Sequence, residues 1–165
     1  MNILCCVLSA GPKQPPPTLQ EIEWRDISMD MFYKNIDHYG MMDLNCRRGK
    51  EEDIYLELCE YIGVKCVDDR VTQVQYRDLN YGDFNIGFLP NSVELVSIIS
   101  CQQRFLIDTR SFPIGLHEIR LNDNLIFGRI DLGNLPPDLR EGYFCGNNIS
   151  GPISLVNLPK GLKYL

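Results

Sequence analysis

Histidine and tryptophan are scarce in this chain. Two histidines, His38 and His117, and one tryptophan, Trp24, occur in 165 residues. The histidines stand too far apart in sequence to form a local metal-binding motif. The zinc-protease pair H-E-x-x-H, the G-x-S-x-G elbow, the Walker phosphate loop and the dinucleotide glycine pattern are all missing. Without such a constellation neither an enzyme nor a cofactor is expected. Basic residues are in the minority, with 16 Lys+Arg against 22 Asp+Glu and a net charge of −6. Nucleic acids and anionic membranes are bound by cations that displace counterions, so neither is expected as a partner. Apolar runs are short, and none approaches the roughly 18 residues that a transmembrane helix needs. The opening MNILCCVLSAG is apolar but lacks the basic residues that precede a signal-peptide core. A clipped signal peptide and a flexible N-terminus over residues 1–17, extended by Pro15-Pro16-Pro17, both stay open. Cytoplasmic and secreted locations are equally compatible with these features.

What the chain does have is a period. Leu-Pro or Phe-Pro pairs begin at Leu89, Phe112, Leu135 and Leu158, each 23 residues after the last. The units between them agree in other columns. Val93, Leu116, Leu139 and Leu162 stand three residues after each proline. Val96, Ile119 and Gly142 follow, then Ile98, Leu121 and Phe144, then Cys101, Asn124 and Asn147. Phe105, Gly128 and Gly151 come next, and Ile107, Ile130 and Ile153 close the pattern. The centre reads L-x-x-L-x-L-x-x-N/C, a leucine-rich repeat signature of the usual period. Its alternating part places apolar side chains on one face and polar ones on the other, so each unit supplies one short strand. One unit cannot bury its apolar face alone, whereas stacked units share a continuous core. An Asn at the turn can satisfy backbone groups that burial would leave unpaired. Val71, Val74 and Tyr76 give a divergent earlier unit, with Leu79 in the Asn column and Gly82 displaced.

The runs NLIFGRI, from Asn124, and NNISGPI, from Asn147, fit N-x-[LI]-x-G-x-I. They resemble the plant-type leucine-rich repeat, although its proline comes later here. Upstream, CEYIGVKC from Cys59 to Cys66 is similar to the N-terminal cap of such proteins, with Tyr61 in place of the usual tryptophan. FYKNIDHYG, from Phe32, looks like the aromatic helix end of the same cap, as in protist leucine-rich repeat proteins. The resemblance implies an α/β fold, a right-handed leucine-rich repeat solenoid with a parallel β-sheet on the concave face and a helical N-terminal cap. The cap would cover residues 18–70. About four repeats would fill 71–165, the last one truncated at Leu165 inside its own strand. A longer chain and self-association through that uncapped edge are expected from this ending.

Thr18 and Glu21 have the spacing of a capping box, and Leu19, Ile22, Ile27, Met31, Phe32 and Ile36 give a rough helical stripe to about Gly40. Trp24 is expected to shield an apolar surface, and Lys50 to Ile62 to hold a second short helix.

The seven cysteines cannot form a closed set of disulfides. The resemblance implies a Cys59–Cys66 disulfide. Two buried free thiols, or a zinc site with Cys46 and His38, are the alternatives. Cys101, in the Asn column, reads as a buried thiol. Asn148-Ile149-Ser150 is a glycosylation triplet that matters in the secretory pathway.

Recognition of a protein partner is the function that remains. Residues between the leucines line the exposed face, including Thr72, Gln75, Glu94, Ser97, Glu118 and Glu141. The candidate contacts are Arg77, Ile99, His117, Arg120, Asn122, Asp123, Arg140 and Tyr143, with Arg120 and Tyr143 side by side. Arginine and tyrosine are favoured anchors in interfaces. A recognition ectodomain or targeting fragment of a larger receptor or kinase is the alternative.

Overall fold

The computed structural model describes residues 15–47 and 54–165. The expectations for residues 1–14, with Cys5 and Cys6, and for 50–53 lie outside the described residues.

The N-terminal part opens on α1 (Leu19–Tyr33), a 15-residue helix. The Thr18 hydroxyl accepts the Glu21 N–H at 3.2 Å, while the Glu21 carboxylate accepts the Thr18 N–H at 2.7 Å, so two of the helix's orphan donors are met. Burial is confined to its last turns, at Met29, Phe32 and Tyr33. Leu19, Trp24 and Ile27 are exposed, Trp24 at 61%, contrary to the shielding role expected of it. The reason is reach: α1 packs on the first parallel strand and the turn at Ile86–Phe88 through its C-terminal end.

The segment is less helical than the pattern suggests. The first helix stops at Tyr33, and β1 (Asn35–Ile36) follows before α2 (His38–Asn45), which Asp37 caps by accepting the Gly40 N–H at 2.7 Å. Strands β2 (Cys46–Arg47) and β3 (Ile54–Tyr55) pair antiparallel. In place of the second helix expected up to Ile62 stand β3 and a short 3-10 turn, Leu58–Glu60. A disulfide joins Cys59 to Cys66, and Cys46 and Cys101 are buried free thiols.

From β4 (Val64–Val67) onward the chain becomes repetitive. β4 runs antiparallel to β5 (Arg70–Arg77). A two-residue strand, β6 (Gly82–Asp83), pairs back to β1. Then β5, β7 (Leu95–Ile99), β8 (Glu118–Arg120) and, after β9 (Phe127–Gly128), β10 (Glu141–Tyr143) lie side by side and parallel. Consecutive parallel strands need crossovers, and these run through 3-10 turns at Ile86–Phe88, Thr109–Ser111 and Leu132–Asn134. β9 pairs in parallel with β11 (Asn148–Ile149), a two-stranded sheet that the leucine spacing does not announce.

The core follows the repeat columns. Val71, Val74, Val93, Val96, Ile98, Leu116, Ile119, Leu121 and Leu139 are fully enclosed. Their β-branched and leucine side chains fit a pleated inner face and stack between strands. Below this stack, Phe32, Tyr33, Tyr76 and Phe84 form an aromatic cluster. Tyr76 and Phe84 stack at 4.5 Å between centroids, and Phe32 and Phe84 at 5.1 Å. Such pairs contribute about 0.5–1.5 kcal/mol each beyond their buried area. Ile153, Leu155, Val156 and Leu165 are exposed.

Each parallel strand ends the same way. Asp78, Ser100, Asp123 and Gly146 occupy one column, all left-handed, with φ of 56°, 54°, 56° and 70°. At Gly146 a side chain would collide with Asp123, so glycine is required there by space as well as by φ.

The asparagine column lies just beyond. Asn124 is 4% exposed and fully used. Its Oδ1 accepts the N–H groups of Cys101 and Gln103 at 3.0 and 3.1 Å, and its Nδ2 donates to the carbonyls of Ile98, Leu121 and Asn122. Where the column holds Cys101, the thiol donates to the Ile99 carbonyl and has no amide to reach further. Gln103, two residues on, supplies what is missing. Its Oε1 accepts the Phe84 N–H at 2.7 Å, and its Nε2 donates to the carbonyls of Gly82 and Cys101.

Candidate interaction surface

Strand alternation sends the residues between the core positions to the other face of the five-stranded sheet. The register groups them into rows. Gln73, Leu95, Glu118 and Glu141 form one row, with Tyr164 bridging beside Glu141. Gln75, Ser97, Arg120 and Tyr143 form the next. Arg77 and Ile99 are paired in the third, which Asn122 joins through the Ser100 N–H to Asn122 carbonyl bond of 3.1 Å.

On β8 and β10, at one edge of this face, stands a connected group of four side chains. The Arg120 Nε makes an ion pair with Glu118 Oε1 on its own strand. The Arg120 guanidinium lies 5.5 Å from the centroid of the Tyr143 ring, a cation–π distance. The Tyr143 hydroxyl donates to Glu141 Oε2 at 3.0 Å. That hydrogen bond to a carboxylate, ahead of desolvation, raises the Tyr143 pKa and keeps the phenol protonated. Two carboxylates are thus adjacent across the strands, one answered by a guanidinium and the other by a phenol.

The sequence-derived candidates divide into three groups. Arg120 and Tyr143 are in contact, as just described. His117 and Arg140 stand one step before the same strands, tied by the Arg140 N–H to His117 carbonyl bond of 2.8 Å. His117 is half-buried and Arg140 exposed. Asn122 and Asp123 follow β8 at the far end, Asp123 in the left-handed turn and Asn122 half-buried with its Oδ1 enclosed and unpartnered. Arg77 is exposed but two strands away from Arg120.

Ile99 does not belong among the contacts. It is 6% exposed, because Arg77 flanks it on one strand and Asn122 stands on the other side. A branched side chain between two longer neighbours is shaded by them, and outward alternation alone does not reveal this. Glu118 and Glu141 were visible only as outward positions. Their direct pairing requires the register, which the 23-residue period encodes without displaying the side-chain partners.

At the entry edge of the strands lies a cleft of ≈ 570 Å³ lined by Lys65, Arg70, Thr72, Glu94 and His117. A second cleft of ≈ 360 Å³ lies between α1 and the first turns, with the exposed Trp24, Arg70 and Pro90 on its walls. Among the described residues no group of three His, Cys, Asp or Glu side chains is arranged to hold a metal ion. Nor is any described helix long and apolar enough to cross a membrane.

No protein-family model matches the chain, and neither does any curated protein sequence. Solved structures do match. The leucine-rich repeat ectodomain of the receptor kinase SOBIR1 from Arabidopsis thaliana aligns over 84% of this chain and 73% of that one, at 19% identity and a TM-score of 0.52. A Pollen Receptor Kinase 3 structure aligns over 74% of each chain, at 18% identity and a TM-score of 0.44. The first likeness shows the fold: an α/β, solenoid-like arrangement of leucine-rich repeat type with parallel strands.

Proposed function

We propose that this chain is a non-enzymatic protein–protein interaction module that binds a partner protein on the concave face of a leucine-rich repeat solenoid. The observation that carries the reading is the pair of exposed Arg120 and half-buried Tyr143 on the last two strands of the sheet, held from both sides by Glu118 and Glu141. Both side chains are pre-positioned, so a partner would lose less ordering entropy in engaging them. His117, Arg140, Asn122, Asp123 and Arg77 extend the surface along and across the strands. In this reading residues 18–70 act as the N-terminal cap, supported by the aromatic cluster that joins α1 to β5, and residues 71–165 supply the repeats.

The test is affinity capture of a partner followed by measured binding of Arg120→Ala and Tyr143→Ala. Each is expected to lose about 2 kcal/mol of binding, roughly thirtyfold in Kd, if these are the anchors. Arg129→Ala, exposed beside β9 of the β9–β11 sheet, is expected to bind like the parent chain. Equal binding by all three variants would remove the sheet face from consideration.

A second reading is a recognition ectodomain or targeting fragment of a larger receptor or kinase. It is favoured by the Cys59–Cys66 disulfide, which persists in oxidising compartments, and by the likeness to a receptor kinase ectodomain. A full-length transcript encoding a membrane span and a kinase after this segment would select it.

A further inference from the structure

Asn147 and Asn148 are adjacent, and the fold uses only the first side chain. Asn147 turns inward. Its Nδ2 donates to the carbonyls of Leu121, Phe144 and Cys145 at 2.7, 3.0 and 3.3 Å, and its Oδ1 accepts the Ile126 N–H at 3.1 Å. Asn148 opens β11 and is exposed, with its backbone N–H donating to the Ile126 carbonyl at 2.8 Å. Its side-chain amide makes no hydrogen bond among the described residues.

The N-x-[ST] frame falls on the free member of this pair. Asn148-Ile149-Ser150 is the sole such triplet in the chain, and Ser150 is exposed as well. A frame shifted by one residue would have placed the acceptor amide inside the asparagine column, where no sugar could be accommodated. The Cys59–Cys66 disulfide belongs to the same oxidising compartments in which such triplets are modified. We propose that Asn148 carries an N-linked glycan. In the transfer, Asn148 Nδ2 attacks the anomeric carbon of an oligosaccharide carried on a polyisoprenyl diphosphate. The new C–N bond forms as the C–O bond to the diphosphate breaks. The diphosphate lipid leaves, one amide proton passes to base, and no atom changes oxidation state.

The surroundings give the glycan a structural role. Asn148 pairs with Phe127, and Phe127 bridges to Leu106. These neighbours are 43% and 64% exposed, an apolar row open to water. A glycan rooted at Asn148 covers the end of this row. It stands on a different sheet from Arg120 and Tyr143, so the face assigned to recognition stays open.

The test is expression of the full chain behind a cleavable signal in a eukaryotic secretory host, scoring all membrane-protected chain whether exported or retained. The parent chain and Ser150→Thr are expected to gain mass that peptide-N-glycosidase removes, while Asn148→Gln and Ser150→Ala gain none. Addition precedes folding, so a folding defect in one variant does not alter the score. Translocated parent chain without glycosidase-sensitive mass would overturn the assignment, as would a gain that persists in both Asn148→Gln and Ser150→Ala.

Discussion

The hydroxyls of Tyr33 and Tyr76 lie 2.6 Å apart in the interior, joining the C-terminal end of α1 to β5. Both rings are 4% exposed, so each hydroxyl depends on the other for the hydrogen bond that water would otherwise provide. Removing one leaves its partner buried and unsatisfied. Tyr33→Phe and Tyr76→Phe are each expected to lower the unfolding free energy by about 1–3 kcal/mol. The double substitution keeps the ring shapes and removes the orphan, so it is expected to destabilise less than the two single effects combined. Denaturant unfolding of the four proteins in a double-mutant cycle checks this.

The same pair makes the fold sensitive to alkali. Burial, together with the neighbouring phenol, pushes the Tyr33 pKa far above its ordinary value of 10.0, and burial does the same at Tyr76. A raised folded-state pKa means that the native state keeps the phenol proton while the unfolded chain releases it. The stabilisation is fully present below about pH 10 and is lost as the pH climbs beyond it. Stability measured from pH 8 to 12 is therefore expected to fall above about pH 10, with phenolate absorbance from the pair appearing together with unfolding. In the Tyr33→Phe, Tyr76→Phe double variant the slope becomes shallower.

The repeat architecture was legible in the sequence and the N-terminal part much less so, for physical reasons that particular residues show. Val96, Ile119 and their column mates must be apolar in every unit because each strand buries the same position against the next, so the period survives in the letters. The left-handed column is hidden, because Asp78, Ser100 and Asp123 adopt a conformation that only Gly146 advertises. Gln103 was equally hidden. It takes over the turn at a unit whose column residue is Cys101, a compensation between positions two apart that no repeat pattern records. α1 misleads because only its last turns are covered, so Leu19 and Ile27 complete an apolar stripe that nothing buries. On the sheet face, Arg120 beside Tyr143 follows from the period alone. The burial of Ile99 depends on which side chains flank it.

Asn124 and Gln103 are expected to be among the least replaceable polar residues. Asn124→Ala would orphan the N–H groups of Cys101 and Gln103 and take a donor from the Ile98 carbonyl, in a position that water cannot reach without disturbing the core, while the Leu121 and Asn122 carbonyls keep the Asn147 amide and the Ser100 N–H. Gln103→Ala would strand the Phe84 N–H and the Gly82 carbonyl. Each substitution is expected to lower the unfolding free energy by about 3 kcal/mol. Asn147→Ala, at a half-buried position of the same column, is expected to cost less because solvent can replace part of what is lost. Chemical denaturation of the three variants under one buffer condition establishes the ranking.

The disulfide offers a test of the N-terminal part that does not depend on any partner. Cys59 and Cys66 are 7 residues apart, and between them the chain passes from the Leu58–Glu60 turn into β4, the antiparallel neighbour of β5. Closing so short a loop restricts the unfolded chain more than the folded one, and the chain-entropy relation gives about 2 kcal/mol for it. Unfolding with and without a reductant is expected to differ by about that amount, and the Cys59→Ser, Cys66→Ser double variant to match the reduced protein. The buried free thiols Cys46 and Cys101 do not contribute to this difference. The repeat end should respond little. Amide exchange at Val96, Ile119 and Leu121 is expected to stay slow under reducing conditions, while protection at Val64 and Val74 falls, because the antiparallel pairing of β4 with β5 depends on the constrained loop. Equal loss of protection at both ends would mean that the disulfide supports the whole stack, not its first strand pair alone.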